Sequence, residues 1–110
     1  MNNHYDYEPD EWVIIKIKAD DNHNWYRVFG SWFGGYVDGD SWRLNSGIVK
    51  YTVNDRHIHF YGTSGSVYTC DLEFEGIKSR YNRSVLDGFL KHGNVEIISL
   101  EDFIREFKHD

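Results

Sequence analysis

Few residues in this chain are of types and spacings that could do chemistry. His57 and His59 are two positions apart, and Cys70 is the only cysteine. On a strand the two imidazoles project from one face, and a register placing Cys70 opposite His57 sets two imidazoles and a thiolate around one point, as a metal would require. The same adjacency offers a Cys-His nucleophile pair, since an imidazole can activate a neighbouring thiol. The cationic Lys50 beside them stands against a metal, and the lack of an orienting third group or oxyanion pocket against the nucleophile pair. A solvated or interface sheet surface explains the same residues more simply. No catalytic residue, metal ligand or cofactor is therefore assigned.

Other motifs are weaker. Gly62-Thr63-Ser64-Gly65-Ser66 could cradle an anion on successive N–H groups, but it lacks the lysine and following helix of a phosphate loop, and a hairpin turn is the better reading. Asp38-Gly39-Asp40 puts two carboxylates on a turn without the further ligands of a calcium loop. A lone cysteine excludes an internal disulfide and every zinc set needing two thiolates. Twelve Lys and Arg against eighteen Asp and Glu leave a net charge of -6. That balance disfavours direct nucleic-acid binding, whose affinity comes from cations on phosphates. No apolar run is long enough to span a membrane, and the acidic start is unlike a signal peptide, so the expectation is a cytoplasmic protein.

These residues need elements to hold them. Residues 1–10 carry the only proline and no apolar period, and are expected to form a flexible arm before one α+β domain, 11–110. Alternation predicts strands over 12–19 and 25–32, and pairing resumes at 42–44 after a loop bounded by Gly34-Gly35 and Asp38-Gly39-Asp40. A two-residue turn at Asn54-Asp55 would make Val53 face Arg56, and the Gly62–Gly65 turn would make Tyr61 face Ser66. The resulting meander has a core face of Val49, Tyr51, Val53, Ile58, Phe60, Val67 and Thr69. Its polar face carries three rows: Thr52, His57, Cys70; then Lys50, His59, Tyr68; then Ile48, Tyr61, Ser66. Helical spacing follows from Tyr81, capped by Ser79 or Asn82 and ended at Gly93. A short strand at 94–98 then leads to a last helix opened by Ser99-Leu100-Glu101-Asp102, with Leu100, Phe103, Ile104 and Phe107 as its stripe and Lys108 at its end. The expected architecture is a mostly antiparallel sheet of five or six strands, with both C-terminal-half helices packed on one face.

The aromatic content is the strongest functional hint. Four Trp, eight Tyr and seven Phe exceed the needs of so small a core, and Trp25, Phe29, Trp32, Phe33, Tyr36 and Trp42 crowd one stretch. Aromatic surface with carboxylates around it suits a basic protein partner, because rings give contact area at low entropy cost and charge steers association. Stacking on a nucleobase is the other use of such rings.

Trp42-Arg43-Leu44-Asn45-Ser46-Gly47-Ile48 followed by Phe60-Tyr61-Gly62-Thr63-Ser64-Gly65-Ser66-Val67-Tyr68-Thr69-Cys70 resembles small uncharacterised proteins of bacteriophages and prophages. That resemblance covers about a quarter of the chain and transfers no catalytic residue. It implies a short accessory protein in a bacterial cytoplasm, of a kind in which host-takeover factors and defence inhibitors are common. The first expectation is thus a non-enzymatic accessory protein that inhibits or redirects a basic host protein, such as a defence complex. The alternative is a small-ligand or nucleotide-binding protein using the polar face of the sheet, with a homodimer able to cover that face. The binding residues singled out are Trp42, Arg43, Lys50, His57, His59, Tyr61, Ser64, Ser66 and Tyr68. A metal-dependent or hydrolytic enzyme is the weakest reading.

Overall fold

A computed structural model of the chain describes residues 6–20, 23–35 and 39–107. The strands are β1 (Asp6–Tyr7), β2 (Glu11–Lys18), β3 (Asn24–Gly35), β4 (Gly39–Leu44), β5 (Ile48–Val53), β6 (His57–Gly62), β7 (Val67–Asp71) and β8 (Val95–Ile98). The helices are α1 (Arg80–Leu90) and α2 (Leu100–Glu106), and a single 3-10 turn, Leu72–Phe74, follows β7. The fold is α+β as expected, but the strands form two four-stranded sheets, β1-β7-β6-β5 and β4-β3-β2-β8, in place of one sheet of five or six.

β2 explains the second sheet. Its residues Trp12, Val13, Ile14 and Ile15 are all buried, so both faces of the strand need cover. Trp12 and Ile14, with Tyr26 and Val28 of β3, pack against Ile58, Phe60, Tyr68 and Cys70 of the other sheet. Val13, Ile15 and Phe29 pack instead against Leu86 of α1. The layers are thus meander sheet, β2–β3 sheet and α1. The helices do not share a face: Phe103 of α2 wedges into the inter-sheet core, with ring centroids 5.3 Å from Tyr26, 5.6 Å from Tyr51 and 5.8 Å from Phe60.

Both helix starts follow the capping logic read from the sequence. Ser79 accepts from the N–H of Asn82, and Ser99 from that of Asp102. Tyr81 and Ile104, expected on the apolar stripes, face solvent; Lys108 lies outside the described residues. So do residues 1–5 of the expected arm. Its second half is anchored: Asp6 and Tyr7 pair in parallel with Val67 and Tyr68, and the Tyr7 ring lies 4.9 Å from that of Tyr68 and 6.3 Å from that of Trp32.

The meander register differs from the expected one at both turns. Asn54 Oδ1 accepts from the N–H groups of Arg56 and His57, both at 2.9 Å, and this side-chain turn takes up Arg56. Val53 therefore faces Ile58, Thr52 faces His59 and Lys50 faces Tyr61. In the next hairpin Tyr61 faces Val67, one residue beyond Ser66. That single step turns β7 over, so Tyr68 and Cys70 enter the core while Val67 and Thr69 look outward. Burial favours this outcome, because a large ring is enclosed and the Thr69 hydroxyl is spared desolvation; it lies 2.9 Å from His59 Nδ1. A bulge between Ile48 and Lys50 buries Ile48 and leaves Val49 44% exposed, and Val53 ends its strand 53% exposed. Val49 leaves the core face assigned to it, whereas Val53, paired with the buried Ile58, stays on that side but lies uncovered at the strand end.

α2 is held by a polar clasp. Glu106 Oε1 lies 2.6 Å from Lys16 Nζ and accepts from the Tyr26 hydroxyl at 2.7 Å. The Lys16 hydrogen bond, then that of Tyr26, hold the Glu106 carboxyl below its ordinary range. Burial, reinforced by Glu106, pushes the Tyr26 phenol up to about 12. With a folded carboxyl below the unfolded one, the stabilisation is present above the unfolded value and fades as pH falls through the folded one. The melting-temperature gap between wild type and Glu106→Gln, measured at neutral pH, is expected to narrow below about pH 4. In urea unfolding, Phe60→Ala is expected to lose about 3–5 kcal/mol and Val49→Ala less than about 0.5 kcal/mol. Equal losses would contradict the observed faces of the meander.

Candidate functional site

The residues singled out from the sequence do not converge. His57, His59, Tyr61 and Lys50 share the outer face of the meander, with the imidazole centroids 6.4 Å apart and Lys50 Nζ 4.8 Å from the Tyr61 ring centre. Tyr68 is absent from that face: it is buried in the core, which pushes its phenol up to about 12. Trp42 and Arg43 belong to the other sheet. Trp42 stacks on Phe29 at 5.6 Å and meets Phe89 edge-on at 5.5 Å, whereas Arg43 lies over the Tyr7 ring at 4.7 Å. Ser64 and Ser66 sit at a hairpin tip, their hydroxyls 3.2 Å apart.

The supposed pairing of Cys70 with His57 does not exist. His57 faces Asp71, and Cys70 faces Ile58 on the buried side. Burial drives the Cys70 thiol far above its ordinary pKa, so the thiolate needed for attack or for metal ligation is disfavoured. Among the described residues, no three His, Cys, Asp or Glu side chains gather closely enough to hold a metal ion.

The Gly62–Ser66 loop is no anion cradle either. Its N–H groups are used internally: Gly62 donates to the Ser66 carbonyl, Thr63 to Gly47, Ser64 to the Ser46 hydroxyl and Gly65 to the Gly62 carbonyl. Gly65 supports the turn with φ at 93°, a region costly for other residues. Of the acidic turn at 38–40, Asp38 lies outside the described residues. Asp40 ties β4 to the start of α1, accepting from the Ser79 hydroxyl at 2.5 Å and the Gly34 N–H at 2.7 Å, and these bonds lower its pKa.

Sequence reading missed a buried polar junction beside that tie. Glu11 Oε2 accepts from the Ser31 hydroxyl at 2.9 Å and the Ser79 N–H at 3.0 Å, and Oε1 from the Lys78 N–H at 2.8 Å. Asn82 then donates to Ser31 Oγ and to the Ser41 carbonyl. The junction fixes the path of the chain from β7 back to α1, and that path shapes the surface next to it.

Here the 3-10 turn sends Leu72 against the core and Phe74 outward. Glu75 then bridges to Trp12, and Gly76, at φ 124°, donates to the Trp12 carbonyl at 2.7 Å. Phe33 projects from the end of β3, its N–H held by Asp10 Oδ2 at 2.8 Å. The two phenyl groups, 53% and 52% exposed, border a hollow of about 330 Å³ together with Asp10, Glu73, Glu75 and Lys78. Phe74 and Asp10 also border a second hollow, of about 220 Å³, with Glu8, Asp71 and His57. Besides the buried Glu11, which also lines the first hollow, five carboxylates therefore border this continuous surface around Phe74. The aromatic excess and the acidic balance were legible in the sequence; their meeting point was not, since Phe33 and Phe74 are far apart along the chain.

The buried thiol gives a direct check of this arrangement. Cys70 is expected to resist a disulfide reagent such as dithiobisnitrobenzoate in the native protein and to react fully in denaturant; rapid native labelling would place it back on the outer face. Compared with known protein families, curated proteins and solved structures, the chain matches none.

Proposed function

We propose that this chain is a non-enzymatic binding protein that grips a basic surface of a bacterial host protein through Phe33 and Phe74, and so inhibits or redirects that protein. The observation that carries this reading is the meeting of two half-exposed phenyl groups with the carboxylates of Glu8, Asp10, Asp71, Glu73 and Glu75. An apolar patch ringed by charge has the chemistry of an interface. Enclosing the exposed half of each ring would contribute about 1–1.5 kcal/mol, while the carboxylates speed encounter with a cationic partner and reject an acidic one. The host setting rests on the resemblance of residues 42–48 and 60–70 to phage and prophage proteins. A nucleic-acid-handling defence complex has the basic surface that a chain of net charge -6 would complement.

The alternative placement, a ligand on the His57, His59 and Tyr61 face, is weakened because Tyr68 is buried on the other side of the sheet. The surface reading has a direct test. Captured from a bacterial lysate by the tagged full chain, a basic host protein is expected to be released by raised salt and to be lost from the Phe33→Ala/Phe74→Ala variant at unchanged melting temperature. A captured set that is the same for wild type and variant would defeat the proposal.

A further inference from the structure

A different hollow has the opposite chemistry. Ile17, Trp25, Arg27, Ser46, Gly47 and Thr63 line a cavity of about 430 Å³, within the range of about 300–1,000 Å³ for small-molecule sites. It shares no lining residue with the Phe33–Phe74 hollow. Among the described residues no carboxylate lines it, whereas Asp6 or another acidic residue borders each of four other hollows on the described surface. In a chain of net charge -6, this is a local exception that an anion could use.

Three parts of the hollow suit three parts of one ligand. Trp25 is 53% exposed, with the His23 ring 6.2 Å away, and offers an indole face for stacking. Arg27 is half-buried and has no carboxylate at ion-pair distance among the described residues. A guanidinium drawn partly from water with no counter-ion among the described residues is prepared to receive an anion, and phosphate fits its planar fork. Thr63 supplies a hydroxyl that donates weakly, at 3.3 Å, to the Ser46 carbonyl and can exchange that bond for one to a sugar. Gly47, at φ 129° with only the Thr63 methyl near its would-be Cβ, leaves this wall open.

We propose that this hollow binds a nucleoside phosphate, with the base on Trp25, the phosphate on Arg27 and the sugar beside Thr63. The site is independent of the protein-binding surface, and either can fail without the other. A bare anion would leave the indole idle, and a neutral aromatic molecule would leave the guanidinium unpaired.

The test is a ¹H–¹⁵N NMR titration of the full chain with AMP and with UMP, alongside adenosine and inorganic phosphate as separate arms. The indole N–H signal of Trp25, assigned by its loss in Trp25→Phe, and the amides of Gly47 and Thr63 are expected to shift saturably with the nucleotides. Trp25→Ala and Arg27→Gln are each expected to weaken binding by about tenfold or more at unchanged melting temperature, with Arg27→Lys between. Should Arg27→Gln unfold, Trp25→Ala and Arg27→Lys decide. The proposal is overturned if phosphate alone binds as tightly as AMP, if adenosine does, if none of the four saturates, or if the signals of Lys50, His59 and Tyr61 move instead.

Discussion

Double-sided burial of β2 is the constraint around which the molecule is arranged. Four successive residues, Trp12 to Ile15, have almost no contact with water. Alternate side chains point to opposite faces, so one layer cannot cover them. The meander sheet takes Trp12 and Ile14, and α1 takes Val13 and Ile15. Each fully buried side chain of this size contributes about 1.5–3 kcal/mol, an appreciable part of the net stability of a small domain. α2 is then left for the rim of the inter-sheet core, where Phe103 and the clasp of Glu106 with Lys16 and Tyr26 hold it.

The same constraint governs what reaches the surface. Because Trp12 is enclosed, the chain leaving β7 can run beside it, and the Glu75 bridge and Gly76 hydrogen bond fasten it there. Glu11, the residue before Trp12, receives the N–H groups of Lys78 and Ser79 and so sets where α1 begins. A strand start, a returning loop and a helix start are thus joined at one buried carboxylate. Phe74 and Phe33 are exposed beside that junction because the backbones carrying them are already committed to it.

The outer face of the meander is the counterpart of this economy of burial. Two imidazoles, a lysine and a phenol remain on it because the opposite face already holds Phe60, Tyr68 and Cys70. Burying Cys70 takes the thiol out of reach of the imidazoles on that surface. The charged rim near Phe74 and the hollow near Trp25, which no described carboxylate lines, are two places where exposed aromatic residues meet a distinct electrostatic setting.

Local information was enough for the α+β class, the helix cap at Ser99, Ser79 as one of two candidate caps, and the inward orientation of Ile58 and Phe60. Capping and periodicity act over three or four residues, and the types at those positions are decisive. The sheet count was hidden because a run such as Trp12–Ile15 reads equally as one half-buried strand or as a strand covered twice. The register of β7 depended on one residue in a hairpin loop, and neither face of that strand is plainly apolar. The Glu11 junction and the Phe33–Phe74 surface join residues tens of positions apart, and local sequence carries no signal of such meetings. Residue types set which groups were present; packing around β2 decided which of them meet.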